Sequence, residues 1–187
     1  ENICVGNDDG TNGTEGGTQP GTGPIPDDES GTVVTLSIAG SPLAENGGVA
    51  TVTATLSTMS AQDITVNLAY SGTAANVSDY TRSGTSILIP AGSLTGSVTL
   101  TGVNDALDEL DETIIVDIST VTNGTESGTQ QVTATITDDD PPPSVTLGLT
   151  GSPLAENGGI ATVTATLSAV SALDVTVNLA YSGTAGN

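Results

Sequence analysis

The side chains whose types and spacing could do chemistry are carboxylates. Five lie within eight positions, Asp105, Asp108, Glu109, Asp111 and Glu112 in VNDALDELDETIIV, and three are consecutive, Asp138, Asp139 and Asp140 in ITDDDPPP. Two carboxylates can cleave a glycosidic bond, but the only aromatics are Tyr70, Tyr80 and Tyr181, so no sugar-stacking platform accompanies them. The chain has no His and no Lys, and Arg82 is its one basic side chain, so no ordinary nucleophile and base can be paired. The expectation is a protein that is not an enzyme. Clustered carboxylates repel one another by about a few kcal/mol, and a hard cation with 6 to 8 oxygen ligands relieves that repulsion, which points to Ca2+. The alternative is a solvated acidic loop that binds nothing. The spaced acids, central Gly and terminal Glu of an EF-hand are missing.

The elements that must position these acids are strands. Ser and Thr number 50 of 187 residues, Gly adds 24, and Val/Thr alternation is strong, an all-β composition. With no Phe or Trp, the core has to be built from Val, Ile, Leu, Ala and Thr methyls. A formal charge of −21 excludes nucleic acid and anionic membranes as partners, since both need a basic surface. No apolar run reaches 18 residues, so no membrane insertion is expected in this segment.

The chain repeats itself. Residues 33–76 match residues 144–187 without gaps at 34 of 44 positions, an offset of 111, with GSPLAENGG at Gly40–Gly48 recurring at Gly151–Gly159. The N-terminal NGTEGGTQPGTGPIPDDES aligns at the same offset with NGTESGTQQVTATITDDDP, and ENICV with ETIIV. Residues 1–32 are therefore read as the C-terminal part of a preceding diverged repeat or linker, 33–143 as one complete domain, and 144–187 as the N-terminal part of the next repeat. Half of a sandwich leaves strand edges and an apolar face unsatisfied. The expectation is that the polypeptide continues, or that identical subunits complete the halves by strand addition.

Within the complete repeat, alternating runs bounded by turn residues predict strands at 34–38, 49–57, 64–71, 86–90, 97–103, 113–119 and 131–137. Seven short strands in about 110 residues suggest an immunoglobulin-like sandwich. In VATVTATLS, Ala50, Val52, Ala54 and Leu56 share the face expected to meet the core. Of 13 acids in this repeat, eight sit in the two clusters, whereas charge serving only solubility would be spread over the surface. In a seven-strand sandwich the turn before the sixth strand and the exit of the seventh can share one end, which Glu45 and Asp79 can also reach.

LAENGG after the first strand, SDY at Ser78–Tyr80, VNDALDELDETIIV and the closing ITDDDPP together resemble the Calx-β domain family. The resemblance covers 33–143 fully and the flanking pieces in part. It implies calcium ligands at Glu45, Asp79, Asp105, Glu109, Glu112, Asp138, Asp139 and Asp140. The family often has two adjacent acids where this chain has Asn104 and Asp105, and an aromatic where it has Thr113.

Smaller features have simpler readings. Asn12, Asn76 and Asn123 open N-x-Ser/Thr sequons, candidate glycosylation sites set against chance in so Ser/Thr-rich a chain. Cys4 falls where Ile115 sits one repeat on and reads as a small buried apolar residue. Tyr70 and Tyr181 occupy equivalent positions and read as packing residues, Asp63 and Asp174 as turn acids. The function expected is a structural segment of an extracellular tandem-repeat stalk or filament, at a cell surface or in a secreted fibre, with calcium at the domain ends stiffening the junctions. Near-absence of Lys and Arg, which leaves trypsin-like proteases almost no cut site, suits exposure outside a cell. Its partners would be neighbouring repeats or identical subunits, and glycans. The alternatives are an adhesive binding module for carbohydrate or protein and a fibre subunit assembled by strand complementation.

Overall fold

The computed structural model describes residues 31–184; segment 1–30, with Cys4 and Asn12, lies outside the described residues, as do 185–187. Ten strands make up the complete repeat: β1 (Val33–Ala39), β2 (Leu43–Ala44), β3 (Val49–Leu56), β4 (Ile64–Gly72), β5 (Tyr80–Arg82), β6 (Ser86–Ile89), β7 (Thr95–Gly102), β8 (Glu112–Thr122), β9 (Thr125–Glu126) and β10 (Gln131–Thr137). They form two five-stranded sheets, ordered β5-β7-β3-β1-β9 and β2-β10-β8-β4-β6. Each of the seven predicted runs is a strand, with ends within three residues of those expected. The strands missed, β2, β5 and β9, have two or three residues each, too few to show a period of two.

Alternation builds the core. Ala50, Val52, Ala54 and Leu56 of β3 point inward with Val98 and Leu100 of β7, and Ile64, Val66, Ile87, Ile89, Ile114, Val116, Ala134 and Ile136 answer from the other sheet. At roughly 1.5–3 kcal/mol for each fully buried Val, Leu or Ile, such a set can close a sandwich without Phe or Trp. Tyr80 is the one aromatic in the fully buried core. Tyr70 packs against that core, donates its hydroxyl to Gly84 O at 2.8 Å and carries Arg82 at 4.3 Å over its ring.

Two features of this frame place the site. After Gly40 the chain leaves β1 for the opposite sheet, where β2 runs parallel to β10 with Ile136 opposite Leu43 and Thr137 opposite Ala44. Strand β8 begins at Glu112, directly opposite Ile136 of β10. The start of β8, the end of β10 and the exit of β2 therefore meet at one end of the sandwich.

The next repeat contributes a two-stranded sheet, β11 (Val145–Thr150) and β12 (Thr162–Leu167), paired Val145 to Leu167 through Thr150 to Thr162. Tyr181 does not pack as expected and is 82 % exposed, because the Gly84 and Arg82 contacts that hold Tyr70 come from residues beyond the matched 44.

Candidate metal centre

Backbone hydrogen bonds hold Glu45 where β2 ends. Its N–H donates to Thr137 O at 3.1 Å, Gly47 N–H donates to Glu45 O, and Gly48 N–H closes the turn on Ala44 O at 2.9 Å. Gly47 has φ +74°, a left-handed conformation that glycine adopts without strain. Gly102, the last residue of β7, donates its N–H to Gly48 O, and a Cβ there would sit 2.5 Å from Ala44 O and 2.7 Å from Glu45 O. A glycine at that strand end is what lets Glu45 lie against the sandwich, only 7 % exposed.

The other acids are fixed from three directions. The Glu45 carboxylate accepts Asp105 N–H at 2.8 Å, and Asp105 Oδ1 accepts Leu107 N–H at 2.8 Å, which folds the acidic loop back on itself. Asp79, just ahead of β5, accepts the Ala75 N–H, while its own carbonyl takes Val103 N–H at 3.0 Å. Asp111 Oδ1 accepts Asp138 N–H at 3.3 Å, tying the acidic loop to the exit of β10.

All eight expected ligand residues converge. Glu45, Asp79, Asp105, Glu109, Glu112 and Asp138 line a single cleft together with Leu110 and Ile136. Carboxylate oxygens of Glu45, Asp139 and Asp140 lie within 4.8 Å of one another, and so do those of Asp79, Glu109 and Glu112. The apolar walls, Leu110 and Ile136, are site residues that the reading of acids alone missed. Asp108 belongs to the loop but not to the cleft; it is turned toward the next repeat.

The electrostatics match a crowded, partly dehydrated set of acids. Burial pushes Glu112 up to about 7, helped by a hydrogen bond with Asp79 and by the charges of Asp79, Glu109 and Glu45. Burial also raises Glu45 against the Asp105 amide bond that favours its charged form, with Asp105, Asp138 and Asp140 adding repulsion. Glu109 is raised by burial and then by Asp79, Asp105 and Asp138. Asp140 is raised by burial and then by Asp138, Asp139, Asp105 and Asp108.

Asp138 Oδ1 and Asp140 Oδ2 are buried and have no hydrogen-bond partner among the described residues. A buried acceptor left without a donor is costly, and a cation is the group that supplies the missing partner to several carboxylates at once. The donor set is all carboxylate oxygen, with no nitrogen or sulfur, and fits a hard ion such as calcium.

The sequons differ in availability. Asn76 is exposed, whereas Asn123 has φ +62° and donates its side-chain amide to Asp63 O at 2.9 Å. Asp63, just ahead of β4, accepts Ala91 N–H at 2.8 Å, a bond to a residue 28 positions on rather than within its own turn.

Among solved structures, the apo form of the Calx CBD1 domain matches with a TM-score of 0.50 and 21 % identity, over 59 % of this chain and 100 % of that one. The complete repeat has a Calx-β-like fold. The structure of CBD12 from CALX1.2 also matches, with TM-score 0.48 and 21 % identity, over 57 % of this chain and 44 % of that one. No protein-family model and no curated protein matches the chain. The Calx-β-like domain is thus defined by its two sheets, with the acids gathered where β2, β8 and β10 meet.

Proposed function

We propose that this chain is a non-catalytic structural segment of an extracellular tandem-repeat stalk or filament, whose Calx-β-like domains bind calcium at the end facing the next repeat. The observation that carries this reading is the convergence of eight carboxylates on one end of the domain, two of whose buried oxygens have no donor. Glu45, Asp139 and Asp140 would hold the ion on one side, and Asp79, Glu109 and Glu112 on the other, with Asp105 and Asp138 lining the cleft between them. Calcium would supply positive charge to a cluster that otherwise repels itself, and so tie the acidic loop to the exit of β10, from which Pro141, Pro142 and Pro143 lead into the next repeat. The test is a thermal melt of the full chain in excess chelator, in millimolar calcium and in millimolar magnesium. Saturation at a hundred times Kd raises stability by about 2.7 kcal/mol, an upshift of several degrees specific to calcium. Identical melts in chelator and calcium sink the ion-binding reading.

A second reading is favoured by the apolar face of β11 and β12, where Leu147 and Leu149 are 58 % and 60 % exposed. Such a face suits completion by strands of a further repeat or of another subunit. Light scattering of the 187-residue chain separates the two: concentration-dependent polymers support strand complementation, and a monomer over the working range excludes it.

A further inference from the structure

The acidic loop of the complete domain touches the next repeat through one turn. Asp108 is only 8 % exposed, and its carboxylate meets Ser171. The Ser171 hydroxyl donates to Asp108 Oδ2 at 2.8 Å, Ala172 N–H donates to Asp108 O at 3.0 Å, and the two segments form a short parallel bridge. Leu110, Ala172 and Leu173 line a cleft beside it together with Thr73 and the acids Glu109, Asp111 and Glu112. The turn is pre-shaped for this, because Ser171 Oγ also accepts Leu173 N–H at 3.0 Å and is held facing the loop.

The complete domain carries the same turn one repeat earlier. Ser60, Ala61 and Gln62 stand at the positions of Ser171, Ala172 and Leu173, and Ser60 Oγ accepts Gln62 N–H at the same 3.0 Å. Ser60 O is anchored by Gly92 N–H at 2.8 Å, while Ala61 is exposed and its N–H has no acceptor among the described residues. We propose that Ser60–Ala61–Gln62 is a docking turn for the acidic loop of a preceding repeat, taking the carboxylate of an aspartate of the Asp108 type on the Ser60 hydroxyl and that residue's main-chain carbonyl on the Ala61 N–H. Each repeat then carries both halves of the contact, the aspartate on its acidic loop and the serine turn near its opposite end in sequence. Contacts of this head-to-tail kind pass from one repeat to the next and extend into open arrays where the rotation between repeats does not close a ring. The proposal rests on the tandem-array reading and does not require the ion, since Asp108 does not line the ion cleft.

The experiment is residue-resolved amide hydrogen exchange. In the full chain, Ala172 N–H exchanges at least about tenfold more slowly than Ala61 N–H, and Asp108→Ala and Ser171→Ala each bring Ala172 to the Ala61 rate while core amides such as Val116 keep their protection. Equal rates at Ala61 and Ala172 in the unaltered chain, or a protected Ala172 in both variants, overturn the contact. In a chain with a second copy of residues 33–143, which close their own core, placed directly ahead of Val33, Ala61 gains the protection Ala172 has and Ser60→Ala removes it. An Ala61 that stays unprotected there overturns the docking turn. Calcium melts on the same samples keep the two ideas apart: protection at Ala172 without any calcium response leaves the docking contact standing and removes the ion reading.

Discussion

Residues 33–76 and 144–187 are nearly one peptide written twice, and they reach different ends. Strands β1 and β3 pair Val34 to Leu56 and Ile38 to Val52; β11 and β12 pair Val145 to Leu167 and Leu149 to Val163, the same register moved by 111. Yet Val34, Val52 and Leu56 are 0 %, 0 % and 4 % exposed, and their counterparts Val145, Val163 and Leu167 are 38 %, 42 % and 38 % exposed. Alternation and turn chemistry are therefore enough to specify a hairpin and its register. Burial is not local, because the second sheet that covers β1 and β3 is made largely by β6, β8 and β10, whose sequences lie outside the repeated 44 residues.

Glu45 and Glu156 extend the comparison to the site. Both stand in LAENGG, and both turns close alike, with Gly48 N–H on Ala44 O at 2.9 Å and Gly159 N–H on Ala155 O at 2.8 Å. Glu45 is buried among other acids, while Glu156 is exposed and joins no carboxylate group among the described residues. The motif makes the turn; the site comes from the convergence of distant segments.

The largest effect that could break this comparison is a charge on each copy of the same valine. Val52→Asp puts an unpaired carboxylate into a closed core and should cost more than about 4 kcal/mol, abolishing the cooperative melt of the chain. Val163→Asp on the open hairpin should stay within about 0.5 kcal/mol of the unaltered protein. Equal losses in a denaturant titration would mean that the β11–β12 face is covered in solution.

Removing charge from the site comes next. Replacing Asp138, Asp139 and Asp140 together with Asn should abolish the calcium-dependent rise in melting temperature, worth about 2.7 kcal/mol at a hundred times Kd. The melt in chelator should be unchanged or raised, because repulsion that lifts Asp140 is relieved. Glu156→Gln, the matching change on the open copy, should leave the calcium response whole. A full response in the triple variant would show that these carboxylates are not the ligands.

Gly102→Ala tests how the closed copy positions Glu45. The added methyl meets the carbonyls of Ala44 and Glu45, and overpacking of this kind costs about 1–3 kcal/mol. Calcium affinity should fall with it as Glu45 is pushed off its place. Calorimetric titration that finds affinity intact would mean Glu45 does not contribute.

These contrasts show what the residues disclosed. The seven long strands were legible because each alternates over four or more residues, and the Ala50–Leu56 face was legible as core for the same reason. Strands β2 and β9 were not, since each exists only as a parallel pairing with a partner more than 90 positions away, β10 for β2 and β1 for β9. The eight acids could be named from their clustering and from resemblance to the Calx-β family, but not which of them share a group. Asp108 showed the limit most clearly: it stands in the middle of the acidic run, three positions from Asp105 and one from Glu109, and only the fold turns it outward to Ser171.

The smallest effect expected is a pH dependence of the ion-free domain, and its sign is unusual. Burial and the neighbouring acids push Glu112 up from its ordinary value of 4.5 to about 7, so between pH 4.5 and 7 the folded domain holds a proton that the unfolded chain has released. Ionising Glu112 costs more in the fold than in the unfolded chain, so this stability is whole below about pH 4.5, declines as pH rises and levels off above 7. Glu45, Glu109 and Asp140 are shifted in the same direction and steepen the decline. Because Glu112 is only partly buried, solvent screening trims its share to about 1–2 kcal/mol between pH 5 and 8. Melts in chelator should therefore fall by several degrees over that range, and Glu112→Gln should remove much of the slope, since an amide keeps a donor for Asp79 and has no proton to lose. Saturating calcium should flatten the profile in the unaltered chain, because the ion takes the place of the proton among the carboxylates. A melt that rises with pH in chelator would mean that these acids are solvated apart from one another, and the closed copy would then differ from the open one in its core alone.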